Sequence, residues 1–255
     1  MELVNFKYEK YNLIYPRTHF QFLKEVFVLD VYRSYLIKKK DVVLDLGAST
    51  GDFCIIASKK VGANGIVIAL EPDADNYELL KYNIQRNKCQ NVIPLNIGVG
   101  NEDGQEKEII APFDKQSRGK ISTLETILED VGIGKKIDFI KMDIEGAEPD
   151  VICTSLNTFK QADVISLEFH NTRQIVDELL LKHGFVFKPV TMTYVYKRIL
   201  KNLLLHPFTL CRVYMDTIFN NPQIIGKAIA GLDMTKGRFL AGSYIKRKGQ
   251  HNLAR

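Results

Sequence analysis

The sequence predicts an open α/β fold: a mostly parallel sheet with helices on both faces, an antiparallel closing strand, a helical N-terminal extension and a basic helical C-terminal appendage. Three observations carry this. From residue 41 onward, short β-branched runs alternate with segments of helical period, the pattern of strands joined by right-handed crossovers. The run Val42-Val43-Leu44-Asp45-Leu46 passes straight into Gly47-Ala48-Ser49-Thr50-Gly51 and then into a helical pattern: a strand, a turn with exposed backbone, and a helix. A second strand from Gly65 stops on Glu71, twenty residues beyond Gly51.

Taken in order, residues 1–40 form the N-terminal extension. Nine aromatics precede the first strand, and Phe22/Val26 and Leu29/Tyr32 repeat at helical spacing, so a helical segment packing on the sheet and covering the ligand cleft is expected. The central domain spans 41–197. Strand 41–46 leads to a helix over 52–60 that Gly62 can end; strand 66–71 leads to a helix over 74–87; strand 92–97 reaches Gly98. Residues 99–121 break the rhythm, with a turn at Asn101-Glu102-Asp103-Gly104 and a short extra strand at Glu108-Ile109-Ile110. Ser122-x-x-Glu125 reads as a capping box for a helix to Val131. Strand 137–143, a helix with Pro149 in its first turn, strand 163–169 and a helix over 172–183 stopped by Gly184 follow. Phe185-Val186-Phe187 and Thr191–Tyr196 read as a closing antiparallel pair, and 198–255 as two or three short basic helices.

In such a sheet, ligands sit beyond the carboxyl ends of the strands. That rule selects Asp45, Gly47, Ala48, Ser49, Thr50 and Gly51 after the first strand, Glu71 and Pro72 after the second, and Asn96 and Gly98 after the third. Asp143 and Glu145 follow the fourth strand, and Glu168, His170 and Asn171 the fifth. Asp45 is expected to shape the turn rather than to do chemistry. The glycine spacing is Gly-x-x-x-Gly, not the Gly-x-Gly-x-x-Gly that brings backbone against a pyrophosphate, which disfavours a nicotinamide dehydrogenase. An adenosine ligand without a diphosphate suits the turn, and S-adenosylmethionine is the commonest of these. Glu71 is placed to accept hydrogen bonds from both ribose hydroxyls.

Val43-Leu44-Asp45-Leu46-Gly47-Ala48-Ser49-Thr50-Gly51, Ala69-Leu70-Glu71-Pro72 and Asp138-Phe139-Ile140-Lys141-Met142-Asp143-Ile144-Glu145-Gly146-Ala147-Glu148 resemble the FkbM family of methyltransferases. The resemblance runs from about Tyr32 to Val195 and rests most on Asp-x-Glu-Gly-x-Glu. It implies a class I, Rossmann-like methyltransferase that uses S-adenosylmethionine, with oxygen acceptors on sugars, glycolipids or small metabolites. Its motif implies a site role for Asp143 and Glu145, and Asp143 is also expected to touch the cofactor. A hydroxyl acceptor needs a base near the transferred methyl, and Asp143, Glu145 and His170 are the candidates. A divalent ion held by Asp143, Glu168 and Asn171 is weighed and not adopted, because the full ligand pattern is absent.

The net charge of +5 conceals an asymmetry. Residues 198–255 carry ten Lys/Arg against two Asp/Glu, and the remaining residues 25 against 28. The basic block suggests docking to an anionic membrane surface or to nucleic acid, with a homodimer contact as a further reading. An RNA methyltransferase is therefore the first rival, although no Asn/Asp-Pro-Pro-Tyr motif occurs; a non-catalytic cofactor-binding module is the second. The four cysteines are scattered, which disfavours a zinc site. No secretory signal and no window of about eighteen apolar residues is seen, so a cytoplasmic protein, peripheral to a membrane surface at most, is expected.

Overall fold

The computed structural model describes residues 2–17, 20–111, 115–134, 136–208, 211 and 241–247. The chain opens with β1 (Leu3–Tyr8) and β2 (Tyr11–Pro16), an antiparallel hairpin. A short helix α1 (Phe20–Leu23) runs into π-helical turns over Lys24–Leu29, and a 3₁₀ turn follows at Ser34–Leu36. The alternating unit then unrolls as β3 (Val42–Leu46), α2 (Asp52–Val61), β4 (Ile66–Leu70), α3 (Ala74–Arg86) and β5 (Val92–Leu95). Next come β6 (Gly98–Val99), β7 (Gln105–Ala111), β8 (Lys115–Ser122) and α4 (Leu124–Asp130). The second half comprises β9 (Phe139–Met142), α5 (Glu148–Thr154), α6 (Leu156–Gln161), β10 (Val164–Glu168), α7 (Arg173–Leu180), β11 (Phe185–Pro189), α8 (Met192–Leu205) and β12 (Ala241–Lys246).

Seven strands form the central sheet in the order β11-β12-β10-β9-β3-β4-β5, parallel except for β12. The period of two in β3 and β9 sorts side chains onto two faces. Val42, Leu44, Leu46, Ile140 and Met142 join the core beneath α4–α7, while Val43 and Phe139 join the core beneath α2 and the N-terminal hairpin. Both faces are covered, which is why these strands read as mostly apolar runs, interrupted by Asp45 in β3 and Lys141 in β9.

The structure corrects several expectations. The N-terminal extension starts with a hairpin, and its Tyr8, Tyr11 and Tyr15 alternate into the core at strand period. Thr191–Tyr196 is not a strand. Thr191 caps α8, its hydroxyl accepting the Tyr194 N–H at 3.2 Å. The partner of β11 is β12, drawn from the segment read as helical, and the boundary at 197/198 falls inside α8. β12 slots antiparallel between β10 and β11, where buried Ser243 meets Ser166 at 2.8 Å. The helix after β8 is capped by Thr123, not Ser122; Ser122 donates to Asp103, and Glu125 accepts from Ser155 and Thr158 rather than closing a capping box. The interruption at 99–121 is a three-stranded sheet ordered β6-β8-β7 that stands over the carboxyl end of the main sheet. Other expectations on 209–210, 212–240 and 248–255 lie outside the described residues.

Candidate functional site

The carboxyl ends of β3, β4 and β9 open on a cleft of about 310 Å³. Gly47, Ser49, Glu71, Pro72 and Gly98 line one side, and Asp143, Ile144 and Glu145 the other; Lys107, Ile109 and Ile121 of the β7–β8 arm close it from outside. The Gly47 and Ala48 N–H groups donate to the Leu70 carbonyl at 3.1 and 2.8 Å, locking the turn to the end of β4. At Gly47, φ is +77°, and an added Cβ would stand 1.9 Å from the Asp143 carbonyl oxygen. Only glycine lets the turn and the end of β9 come this close.

Glu71 is buried and aimed into the cleft wall. One carboxylate oxygen accepts from the Ser49 N–H at 2.7 Å and the other from Asp73 N–H at 2.9 Å. Burial pushes its carboxyl up to about 7, against the pull of those two bonds. Each oxygen keeps further lone pairs for a diol.

Behind the opposite wall lies a line of charges. Asp45 on β3 and Lys141 on β9 are register partners, both buried, with Nζ 3.3 Å from Oδ1. Burial raises Asp45 to about 7. Burial pulls the Lys141 ammonium down, but Asp45, Asp143 and Asp52 outweigh it and leave the group above its usual value. Lys141 also donates to the Gly47 carbonyl at 2.5 Å and lies 3.9 Å from Asp143. The Tyr32 hydroxyl donates to the same Asp143 oxygen at 2.8 Å, so the N-terminal extension reaches the site.

His170 faces three carboxylates. Nδ1 lies 3.0 Å from fully buried Glu148, and Nε2 lies 3.3 Å from Glu145 and 3.9 Å from Asp143. The Glu148 bond raises its pKa; burial opposes, Glu145 and Asp143 add, and the result is about 9. Burial pushes Glu148 up, but the bonds from His170, Gly146 and Thr172 leave it below its usual value. Burial, then the charges of Asp143 and Glu25, raise Glu168 to about 8. These carboxylates favour the protonated imidazole, which in that form bridges the β9 loop and α5. Among the described residues, Asp143, Glu145 and His170 bring ligand atoms within 4.8 Å of one another, a spacing that could hold a cation. That set differs from the Asp143, Glu168 and Asn171 weighed from sequence.

Of the residues expected at the site, Gly47, Ser49, Glu71, Pro72, Gly98, Asp143 and Glu145 line the cleft. The others stand behind it. Asp45 and Thr50 are fully buried, and Ala48 and Gly51 close the turn through a 2.9 Å backbone bond. Asn96 is exposed, its amide donating to the Glu71 and Pro72 carbonyls at 2.9 and 3.1 Å. His170 touches Glu145 rather than the cleft. Sequence reasoning missed Tyr32 and Lys141 and gave Glu148 no role.

A doubly wound sheet with a bare glycine turn, a buried carboxylate after β4 and acids after β9 is the arrangement of an S-adenosylmethionine-dependent methyltransferase. The donor set fits that cofactor: a buried carboxylate for its ribose, glycine backbone along its length and acidic groups for its cationic end. The chain belongs to the Methyltransferase FkbM domain family, whose model matches residues 45–187. Among solved structures it is similar to methyltransferase FkbM from Methylobacillus flagellatus KT (18% identity, 70% of this chain and 48% of that one, TM-score 0.49). It is also similar to precorrin-6y C5,15-methyltransferase from Geobacter metallireducens GS-15 (19% identity, 65% and 72%, TM-score 0.43). A further likeness is to a putative rRNA-methylase from Clostridium thermocellum (11% identity, 68% and 85%, TM-score 0.45). No curated protein matches the chain. Among the described residues no helix is long and apolar enough to cross a membrane.

Proposed function

We propose that the enzyme methylates a hydroxyl oxygen on an uncharged acceptor: a sugar, a glycolipid or a small metabolite. The observation that carries this is the charge of the cleft. Glu71, Asp73, Glu108, Asp143, Glu145 and Asp150 line it against a single lysine, Lys107. Such a wall repels the phosphates of RNA and supplies carboxylates that take a hydroxyl proton. S-adenosylmethionine supplies an activated methyl when bound; the protein's share is to hold it, orient the acceptor and remove the acceptor's proton. Glu71 holds the ribose. Asp143, pinned by Tyr32 and Lys141, faces the cationic end of the cofactor. Glu145 is the better base: burial raises its carboxyl, the His170 charge offsetting part of the shift, and its ion pair among the described residues is with His170 at 3.3 Å.

Methyl-labelled S-adenosylmethionine incubated with glycan, lipid and metabolite extracts, and separately with RNA, tests the reading. Label should enter a hydroxyl-bearing fraction as an alkali-stable ether. Label in RNA alone overturns the acceptor assignment. On the cofactor side, Glu71→Ala should weaken S-adenosylhomocysteine binding by about 1–3 kcal/mol in calorimetry, the loss of a charged hydrogen-bond partner. Unchanged affinity in a folded variant removes Glu71 from the ribose site.

A further inference from the structure

Helix α8 packs Tyr194, Val195 and Ile199 against the core and carries a second apolar stripe on its opposite side. Polar contacts add to that packing: Asn202 donates to the Val28 carbonyl at 3.0 Å and accepts from the Tyr8 hydroxyl, the Tyr194 hydroxyl donates to the Asp30 carbonyl at 2.8 Å, and Arg198 pairs with buried Asp30 at 3.4 Å. Its outer face presents Tyr196, Leu200, Leu203 and Leu204, with Leu204 74% exposed, and Phe208 just beyond is 90% exposed. Residues 196, 200, 203 and 204 fall on one stripe of a 3.6-residue helix. A surface helix ordinarily turns such a stripe inward; here it faces out as a contiguous apolar ridge.

Cations gather on the flank of α8 near Lys201, and Glu9, next to Lys10, is paired with His206 at 2.9 Å. Lys197 and Lys201 are exposed on α8, Lys10 is exposed in the β1–β2 turn, and Lys60 stands in the last turn of α2. These groups crowd one another: burial first, and then Arg198, Lys10 and Lys201, hold the Lys60 ammonium below its usual value, with Asp30 opposing. From Val190 to Phe208 the chain contains no Asp or Glu. An apolar ridge beside clustered lysines is the chemistry of an anionic lipid interface, where side chains enter the acyl boundary and ammonium groups lie over headgroup phosphates. Nucleic acid would use the same cations but has no use for a leucine ridge, since bases stack on rings and not on aliphatic chains.

We propose that the outer face of α8, with Lys197 and Lys201 beside it, docks the enzyme on an anionic membrane surface. The inference is independent of which acceptor the cleft takes. It is tested by sedimenting the full chain with vesicles of phosphatidylcholine mixed with phosphatidylserine, and with phosphatidylcholine alone, at low and high salt. The protein should pellet with the mixed vesicles at low salt and be released by high salt. Leu200→Glu and Leu204→Glu should each weaken partitioning roughly tenfold or more, and Lys201→Ala about fivefold. S-adenosylhomocysteine binding, unchanged in all three, shows that they fold. Absence of pelleting with mixed vesicles, equal pelleting with the neutral ones, or wild-type partitioning by the Glu variants overturns the proposal. So does a variant-sensitive, salt-steep RNA shift without vesicle binding, or a homodimer that Leu204→Glu dissociates without vesicle binding.

Discussion

Glu145→Gln is expected to lower turnover by roughly 10²–10⁴-fold, the worth of a positioned general base, while leaving S-adenosylhomocysteine affinity unchanged. The amide keeps the shape of the side chain and its place on the β9 loop but has no lone pair basic enough to take a hydroxyl proton. The pH profile carries the same assignment. Only the carboxylate accepts a proton, so kcat/KM should rise with pH through the Glu145 titration, which burial places above the usual carboxylate range. At the alkaline end, deprotonating His170 turns an imidazolium that anchors Glu145 and Asp143 into a neutral ring. The rate should therefore fall near about 9. The limbs belong to the coupled cluster rather than to either residue alone. His170→Gln should erase the alkaline limb and lower the rate less than Glu145→Gln does. If Glu145→Gln keeps wild-type turnover while Asp143→Asn abolishes it, Asp143 is the base and Glu145 is not.

How much of this was legible in the sequence depended on whether the signal was local. The strand, glycine turn and helix at 42–61 and the acid at the end of β4 announce themselves within a few residues, and their places follow from connectivity alone. Asp143 and Glu145 were legible for the same reason. Lys141 was not, although a lysine inside Phe139-Ile140-Lys141-Met142 and an aspartate inside Val42–Leu46 are each anomalous in an apolar strand; together they mean a pair only once the sheet order sets β3 beside β9. Tyr32 reaches Asp143 across 111 residues of chain, and no local pattern encodes such a contact. β12 was hidden because its parity with β10 shows only after the long excursion from α8. For His170, one of the three candidate bases, what the sequence did not show was the three carboxylates around the ring, which favour its cationic form.

The largest structural effect should come from one methyl group. Gly47→Ala is expected to destabilise the fold by about 2–5 kcal/mol. Left-handed backbone costs an L-residue roughly 1–2 kcal/mol, and crowding a packed contact adds about 1–3 kcal/mol. The methyl cannot avoid the clash, because its neighbour at 1.9 Å is the Asp143 backbone carbonyl rather than the tip of a flexible side chain. Relief requires the turn and β9 to separate. That movement strains the 3.0 Å bond from the Asp143 N–H to the Leu46 carbonyl and the bond from Lys141 to the Gly47 carbonyl. It also moves Asp143 away from the glycine side of the cleft, so S-adenosylhomocysteine affinity should fall, and turnover should fall about 10²-fold, the scale of a one-ångström misplacement. Gly62→Ala supplies the control. Gly62 also has positive φ, +71°, but an added Cβ there meets nothing within 4 Å. It should show the backbone cost in denaturant unfolding and none of the loss in calorimetry. Equal cofactor affinity in the two variants would mean that the close approach at Gly47 does not shape the cleft.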